Sequence, residues 1–227
     1  MTGVGRRGPV VLAVAAGIAA VIAIVGVAVA TFFNPLWIGF EQERSGVPGI
    51  TGWTSEQVRS ATGSILADLF LGPPSFAAAV NGQPVLDAAE RSHMVDVRNV
   101  VLPAMIVFGV AVVSLAALFV TKRRRAWFWR AIAIGSGVMT AVGVAAGVAV
   151  LFSFDAAFRL FHLVFFPQGN FTFDPRTERL TQLFPDQFWT ETALAIAVVG
   201  LLMATVVSAL AWRRAGRLGI EVRPIEE

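Results

Sequence analysis

Four long apolar runs limit this 227-residue chain to a small set of folds. Each is close to the roughly 20 residues that a helix needs to cross a bilayer. Hydrophobic residues make up 56% of the sequence and charged residues only 15%, which excludes a soluble domain of this length. We therefore predict an all-α polytopic membrane protein, one membrane domain over residues 1–227. Its four transmembrane helices are predicted at about residues 10–31, 100–120, 127–152 and 188–212.

Basic residues predict the orientation of these spans. They occupy three segments: Arg6 and Arg7 before the first span, Lys122 to Arg125 between spans two and three, and Arg213, Arg214 and Arg217 after span four. The positive-inside rule makes all three segments, and hence both termini, cytoplasmic. Two partly helical extracytoplasmic loops then cover about residues 32–99 and 153–187. The pI of about 10.8 therefore reflects topology and not nucleic-acid binding.

The first apolar run has a second interpretation as a signal peptide. Arg6 and Arg7 form a basic start, and Ala28-Val29-Ala30 resembles a cleavage site for a signal peptidase. The run is longer than the usual apolar core of a signal peptide, so we predict that it stays as a span.

The chain contains no cysteine. Disulfides cannot hold the outer loops, and thiolate catalysis and a lipid anchor on the protein's own cysteine are excluded. Any cysteine chemistry must arrive with a partner.

The two loops carry signals for local structure. Thr54 and Gln57 have the spacing of a capping box that starts a helix, and Gly72-Pro73-Pro74 ends it. Asn81-Gly82 predicts a tight turn, and Asp174-Pro175 predicts the start of a short helix that ends near Phe184.

The first of only two histidines, His93, follows a predicted helix start. Asp87 and Glu90 have N-cap and N3 spacing, and the helix is predicted to run unbroken into the second span. His93 would stand roughly 8–10 Å above the apolar run, and Glu90 and Asp96 can reach its face of the helix. A solvated interfacial histidine is the alternative interpretation.

The second histidine, His162, lies in a similar polar cluster. Asp155, Arg159 and His162 are spaced i, i+4 and i+7, which predicts one face of a helix that continues from span three. Apolar bulk around it comes from Phe154, Phe158, Phe161, Phe165 and Phe166, although interfacial anchoring also explains most of these rings. Two groups that carry protons at neutral pH on one membrane face indicate a catalytic site. We expect the imidazoles within roughly 10 Å of each other, in a cleft lined by phenylalanines.

Two motifs resemble a bacterial family of four-span membrane proteins. They are ERSHMVDVR before span two and FHLVFFPQGNFTFDP, followed by Leu180 and LFPDQFW. The family includes the lipoprotein intramolecular transacylase, Lit, and the resemblance covers essentially the whole chain. This sequence has Phe171 where the family pattern has a tryptophan, and Glu178 near a position where it has an aspartate.

The resemblance implies an acyl shift on bacterial lipoproteins at the outer face of the cell membrane. The family enzyme moves the sn-2 acyl chain of a diacylglyceryl cysteine to that cysteine's α-amine, which gives a lyso-form lipoprotein. The family's two essential histidines correspond to His93 and His162. The implied partners are the lipoprotein substrate and membrane lipids.

The chemistry also fits these residue types. An α-amine with a pKa near 8 must lose a proton before it attacks an ester, and a histidine with a pKa near 6.5 suits that task. No cofactor or metal is required. Candidate donors to the oxyanion are Arg98, Asn99, Arg159 and Asn170, and further supporting candidates are Glu90, Asp96, Asp155 and Asp174.

A histidine acyl-enzyme stays open, as do a bis-histidine haem or metal protein and a non-catalytic lipid-binding or transport protein.

Overall fold

A computed structural model describes residues 7–220 of the chain. Arg6, part of the predicted basic start, lies outside the described residues. The described chain forms nine helices and one hairpin. In chain order they are α1 (Arg7–Phe32), α2 (Pro35–Arg44), α3 (Val47–Thr51), α4 (Ser55–Phe70), β1 (Ala79–Val80), β2 (Gln83–Pro84), α5 (Ala88–Lys122), α6 (Ala126–Phe152), α7 (Phe154–Phe165), α8 (Arg179–Leu183) and α9 (Asp186–Ile220).

Four helices are long and apolar enough to cross a membrane. The spans are Val10–Phe32 in α1, Ala88–Lys122 in α5, Ala126–Val148 in α6 and Asp186–Gly219 in α9. The predicted class, a helical multi-pass membrane protein with four spans, is confirmed. The prediction that α5 runs unbroken from its polar start into the second span is also confirmed.

The chain divides into two compact units, and the division falls within four helices, α1, α5, α6 and α9. The helical unit contains the residues up to Val29, Met105–Ala149 and the residues from Ala197. The histidine unit contains Ala30–Ala104 and Val150–Ile196. The single-domain prediction over residues 1–227 stays a prediction.

Small residues hold the helical unit together. A Cβ atom added to Gly135 of α6 would lie 2.6 Å from the carbonyl oxygen of Gly17 in α1. Ser208 of α9 donates a hydrogen bond to the Ala133 carbonyl of α6 at 2.9 Å. Such contacts stabilise helix pairs in lipid, where apolar burial drives association little.

The core of the histidine unit forms around α4 and the hairpin. Its buried residues are Val47, Val58, Ala61, Ile65, Leu69, Phe76, Val80, Val85, Leu86, Met94 and Leu183. Buried Gln42 of α2 donates to Thr62 of α4 at 2.9 Å and to the Leu183 carbonyl of α8 at 3.0 Å. These bonds fix three helices of the unit to one another.

Local signals in the first loop are confirmed. Thr54 and Gln57 form the predicted capping box, and α4 ends at Phe70, before Gly72. Val80 pairs with Gln83 across the Asn81-Gly82 turn, where φ is 53° and 76°. These left-handed conformations favour the Asn-Gly sequence.

Two predictions about the second loop are wrong. Asp155, Arg159 and His162 do lie on one helix, α7, but this helix does not continue from span three. The span-three helix α6 ends at Phe152, and Ser153, with φ −157° and ψ 59°, separates it from α7. The short helix begins at Arg179 and not at Pro175. Asp174 instead closes a turn in which its side chain accepts the Arg176 N–H at 2.9 Å.

Candidate active site

His93 is positioned by a capping box at the start of α5. Asp87 accepts the Glu90 N–H at 2.8 Å, and Glu90 accepts the Asp87 N–H at 2.7 Å. The second Glu90 oxygen accepts the Leu180 N–H of α8 at 2.7 Å, so one buried carboxylate fixes the first turns of both helices. The sequence predicted Glu90 beside His93, whereas the hydrogen bonds of Glu90 join α5 to α8.

We expect Glu90→Ala to lower the free energy of unfolding by about 3 kcal/mol, because two backbone N–H groups lose a charged acceptor. Glu56→Ala is the matched control, since Glu56 also lies in the first turn of a helix but is exposed. Thermal unfolding in detergent measures the difference. Equal unfolding temperatures for the two variants would contradict this role for Glu90.

The second histidine is oriented by its own helix, α7. His162 Nδ1 lies 2.8 Å from the Phe158 carbonyl oxygen. A carbonyl oxygen only accepts, so Nδ1 carries the hydrogen in this bond. When the imidazole is neutral, its lone pair is therefore on Nε2.

The two histidines lie side by side within the histidine unit. Their ring centroids are 6.2 Å apart and their planes differ by 23°. The expected separation of less than about 10 Å is confirmed. His93 is 6% exposed and His162 9%, which places both rings where bulk water has little access.

Phenylalanine rings surround the histidine pair. Phe166 contacts both imidazoles, with its centroid 4.9 Å from His93 and 5.6 Å from His162. Phe173 lies 5.5 Å from His93, and Phe158 lies 4.2 Å from His162. Apolar surroundings disfavour a positive charge. At His93 they therefore favour the neutral imidazole, which can accept a proton.

A further ring beside the second histidine, Phe171, occupies a position where the sequence departs from the resembled family pattern. Phe171, where that pattern has a tryptophan, lies 5.1 Å from the His162 ring. The position at which the sequence departs from the resembled pattern therefore borders the second histidine.

A tight loop after α7 joins the two histidine helices. Asp96 of α5 accepts hydrogen bonds from Gln168 at 2.9 Å and from Asn170 at 2.6 Å. Gly169 between them has φ +80°, a conformation that favours glycine. Asn170 Oδ1 and His93 Nδ1 are both buried and make no hydrogen bond within the described residues.

The remaining predicted residues form no hydrogen bond with either imidazole within residues 7–220. Arg98 donates to the Asp68 carbonyl at the end of α4, and Asn99 is exposed. Asp155 and Arg159 are exposed on α7, and their side chains form no hydrogen bond or ion pair with any other residue among 7–220. The Arg176 side chain bonds Asp174 at 2.7 Å and lowers the pKa of that carboxyl.

The sequence patterns did not predict Gln168 and Phe173 as parts of this site. The signal available for Gln168 was the helix-breaking segment of residues 167–170, which predicts a turn but not its partner on α5. Among residues 7–220, no three His, Asp or Glu side chains come together as a metal-binding group.

The fold and the site define a multi-pass helical membrane protein that carries a buried pair of histidines. The family described as "Lipoprotein intramolecular transacylase Lit" matches residues 13–189. The chain therefore belongs to the Lit family, and it is an acyltransferase by family. The resemblance predicted from the two histidine motifs is confirmed.

Solved structures support the same fold. The membrane-integral lipoprotein intramolecular transacylase Lit from Bacillus cereus superimposes with a TM-score of 0.76 at 18% identity, over 93% of this chain and 98% of that chain. A variant of the same protein with one histidine replaced by arginine gives 0.69 at 18% identity, over 94% of each chain. A histidine-to-alanine variant also gives 0.69 at 18% identity, over 93% of this chain and 96% of that chain. The search of curated proteins found no match.

Proposed function

We propose that this protein transfers an acyl chain within a bacterial lipoprotein, from the sn-2 oxygen of a diacylglyceryl cysteine to the α-amine of that cysteine. The observation that carries the proposal is the histidine pair, 6.2 Å apart, with the Nδ1–H of His162 held by a backbone carbonyl. Family membership supports an acyl transfer as the reaction class. The substrate and the roles of the histidines are the proposed part.

The reaction is balanced without any added reactant. A histidine Nε2 accepts a proton as the amine nitrogen attacks the ester carbonyl, and a tetrahedral oxyanion forms. The ester C–O bond then breaks, the amide C–N bond remains, and the protonated histidine returns its proton to the glycerol oxygen. Donor and acceptor belong to one molecule, so the enzyme mainly supplies orientation and proton transfer.

The aromatic surroundings suit this substrate. The exposed apolar rings next to the site include Phe161 and Phe165, which are 48% and 46% exposed. Surfaces of this kind can contact the acyl chains, while the buried histidines contact the polar end of the substrate, its N-terminal cysteine. The substrate then reaches the site from within the membrane.

The experiment that tests the proposal compares lipoprotein N-termini from cells with and without this protein. Mass spectrometry is expected to find the N-acylated lyso form only when the protein is present. A diacylglyceryl cysteine with a free amine in both samples would refute the proposed activity.

We also propose that the loops of residues 32–99 and 153–187 face the outside of the cell, because the basic segments follow the positive-inside rule. The chain has no cysteine, so introduced ones report cleanly. Gln83→Cys and Thr172→Cys are expected to react with an impermeant thiol reagent in intact cells, whereas Arg124→Cys is expected to react only after lysis. Labelling of Arg124→Cys alone in intact cells would reverse the orientation.

A further inference from the structure

Two buried polar atoms beside the histidine pair have no hydrogen bond among the described residues. They are Nδ1 of His93 and Oδ1 of Asn170, and the Asn170 side chain is close enough to interact with the His93 ring. Unpaired buried polar atoms are costly, and native structures rarely retain them. Neither atom is open to solvent, so the simplest partner for each is the other.

The orientation of the Asn170 amide is fixed. Its Nδ2 donates to Asp96 Oδ2 at 2.6 Å, and a carboxylate can only accept. The amide therefore cannot be flipped, and its oxygen is directed away from Asp96. An oxygen accepts, so the hydrogen in a bond to His93 must be on Nδ1.

The two ring nitrogens of His93 differ in access. Nδ1 is buried, whereas Nε2 is not among the buried unpaired atoms. Nε2 is therefore the ring nitrogen of His93 that is not fully enclosed, and we assign it as the one that faces the substrate. It can act as a base only when the ring hydrogen is on Nδ1, which is the arrangement that Phe158 imposes on His162.

We propose that Asn170 is a positioning residue for His93: its Oδ1 accepts the Nδ1–H of His93, and Asp96 holds the amide in the orientation that this requires. The bond pairs the two buried atoms that have no other partner among residues 7–220. Both histidines then present an unprotonated Nε2 to the substrate. The inference rests on the proposed function for its catalytic meaning, but the tautomer itself can be measured without any substrate.

The test is ¹⁵N NMR of the full-length protein labelled at histidine, at a pH where both rings are neutral. Only two histidines contribute signals, and a single-histidine variant assigns them. Wild-type His93 is expected to be the Nδ1–H tautomer. In Asn170→Ala it is expected to shift toward Nε2–H, while His162 stays Nδ1–H because Phe158 holds it.

The matched control is Gln168→Ala, which removes the other hydrogen bond to Asp96 but no contact with His93. It is expected to keep the His93 tautomer. Asp96→Asn retains an acceptor for the Asn170 amide, so its His93 is expected to stay in the Nδ1–H form. Asp96→Ala removes that acceptor, and its His93 is expected to shift toward Nε2–H. Turnover of a diacylglyceryl lipopeptide is expected to fall about tenfold in Asn170→Ala, the effect of one neutral hydrogen bond.

Wild-type His93 in the Nε2–H form would overturn the inference, even if every variant failed to fold. An unchanged Nδ1–H signal in folded Asn170→Ala would overturn it as well. The His162 signal reports whether the site remains folded. Failure of the proposed function is a separate result, namely full turnover after His93→Ala, and it leaves the tautomer measurement intact.

Discussion

His93→Ala and His162→Ala are each expected to lower the rate of acyl transfer by at least about 10³-fold, because proton transfer by a positioned side chain contributes 10²- to 10⁴-fold. Glutamine at either position is expected not to restore activity, since it forms hydrogen bonds but carries no proton at neutral pH. Conversion of a diacylglyceryl lipopeptide by the purified protein measures the rates. The double variant is expected to be little worse than either single one, as for groups that act together.

Ser92→Ala is the control for these variants. Ser92 is the exposed neighbour of His93 on α5, and its loss is expected to leave the rate unchanged within about twofold. All variants are expected to remain folded by size-exclusion chromatography in detergent. Full conversion by both histidine variants would exclude them from the chemistry.

Gly135→Ala is expected to destabilise the helical unit by about 1–3 kcal/mol, the usual cost of overpacking. The added Cβ would lie 2.6 Å from the Gly17 carbonyl oxygen, which belongs to the backbone of α1 and cannot turn away. The two helices must therefore separate, and their other close contacts are lost. Unfolding of the detergent-solubilised protein measures the change.

Gly147→Ala is the matched control within the same helix, α6. No atom lies within 4 Å of a Cβ added at Gly147, so this change is expected to be neutral or to stabilise by up to about 1 kcal/mol. Equal stabilities of the two alanine variants would show that the close approach of Gly17 and Gly135 contributes nothing.

The sequence predicted the features that depend on local composition. Apolar runs of bilayer length predicted the four spans, and the residue pairs Thr54–Gln57 and Asp87–Glu90 predicted two helix starts, because each pair satisfies its own backbone groups. The meeting of His93 and His162 also followed, since both lie beside span ends that were predicted on the same side.

Features that depend on partners distant in the chain were not predictable. The start of α8 at Arg179 is fixed by Glu90, which lies 90 residues before Leu180 and accepts its N–H. Asp96 was predicted to reach His93 along its own helix, and its charge does act on that ring. Its hydrogen bonds, however, go to Gln168 and Asn170, more than 70 residues away. No local pattern distinguishes these tertiary bonds from the alternatives within one helix.

The mass of the product distinguishes an acyl shift within one lipoprotein molecule from hydrolysis and from transfer between molecules. Purified protein is incubated with a synthetic diacylglyceryl lipopeptide that has a free α-amine, and intact and fragment masses are recorded. We expect an unchanged total mass, with one acyl chain moved from a base-labile ester to a base-stable amide at the N-terminus. Loss of one acyl chain, which indicates hydrolysis, or gain of one, which indicates transfer from a separate lipid, would contradict it.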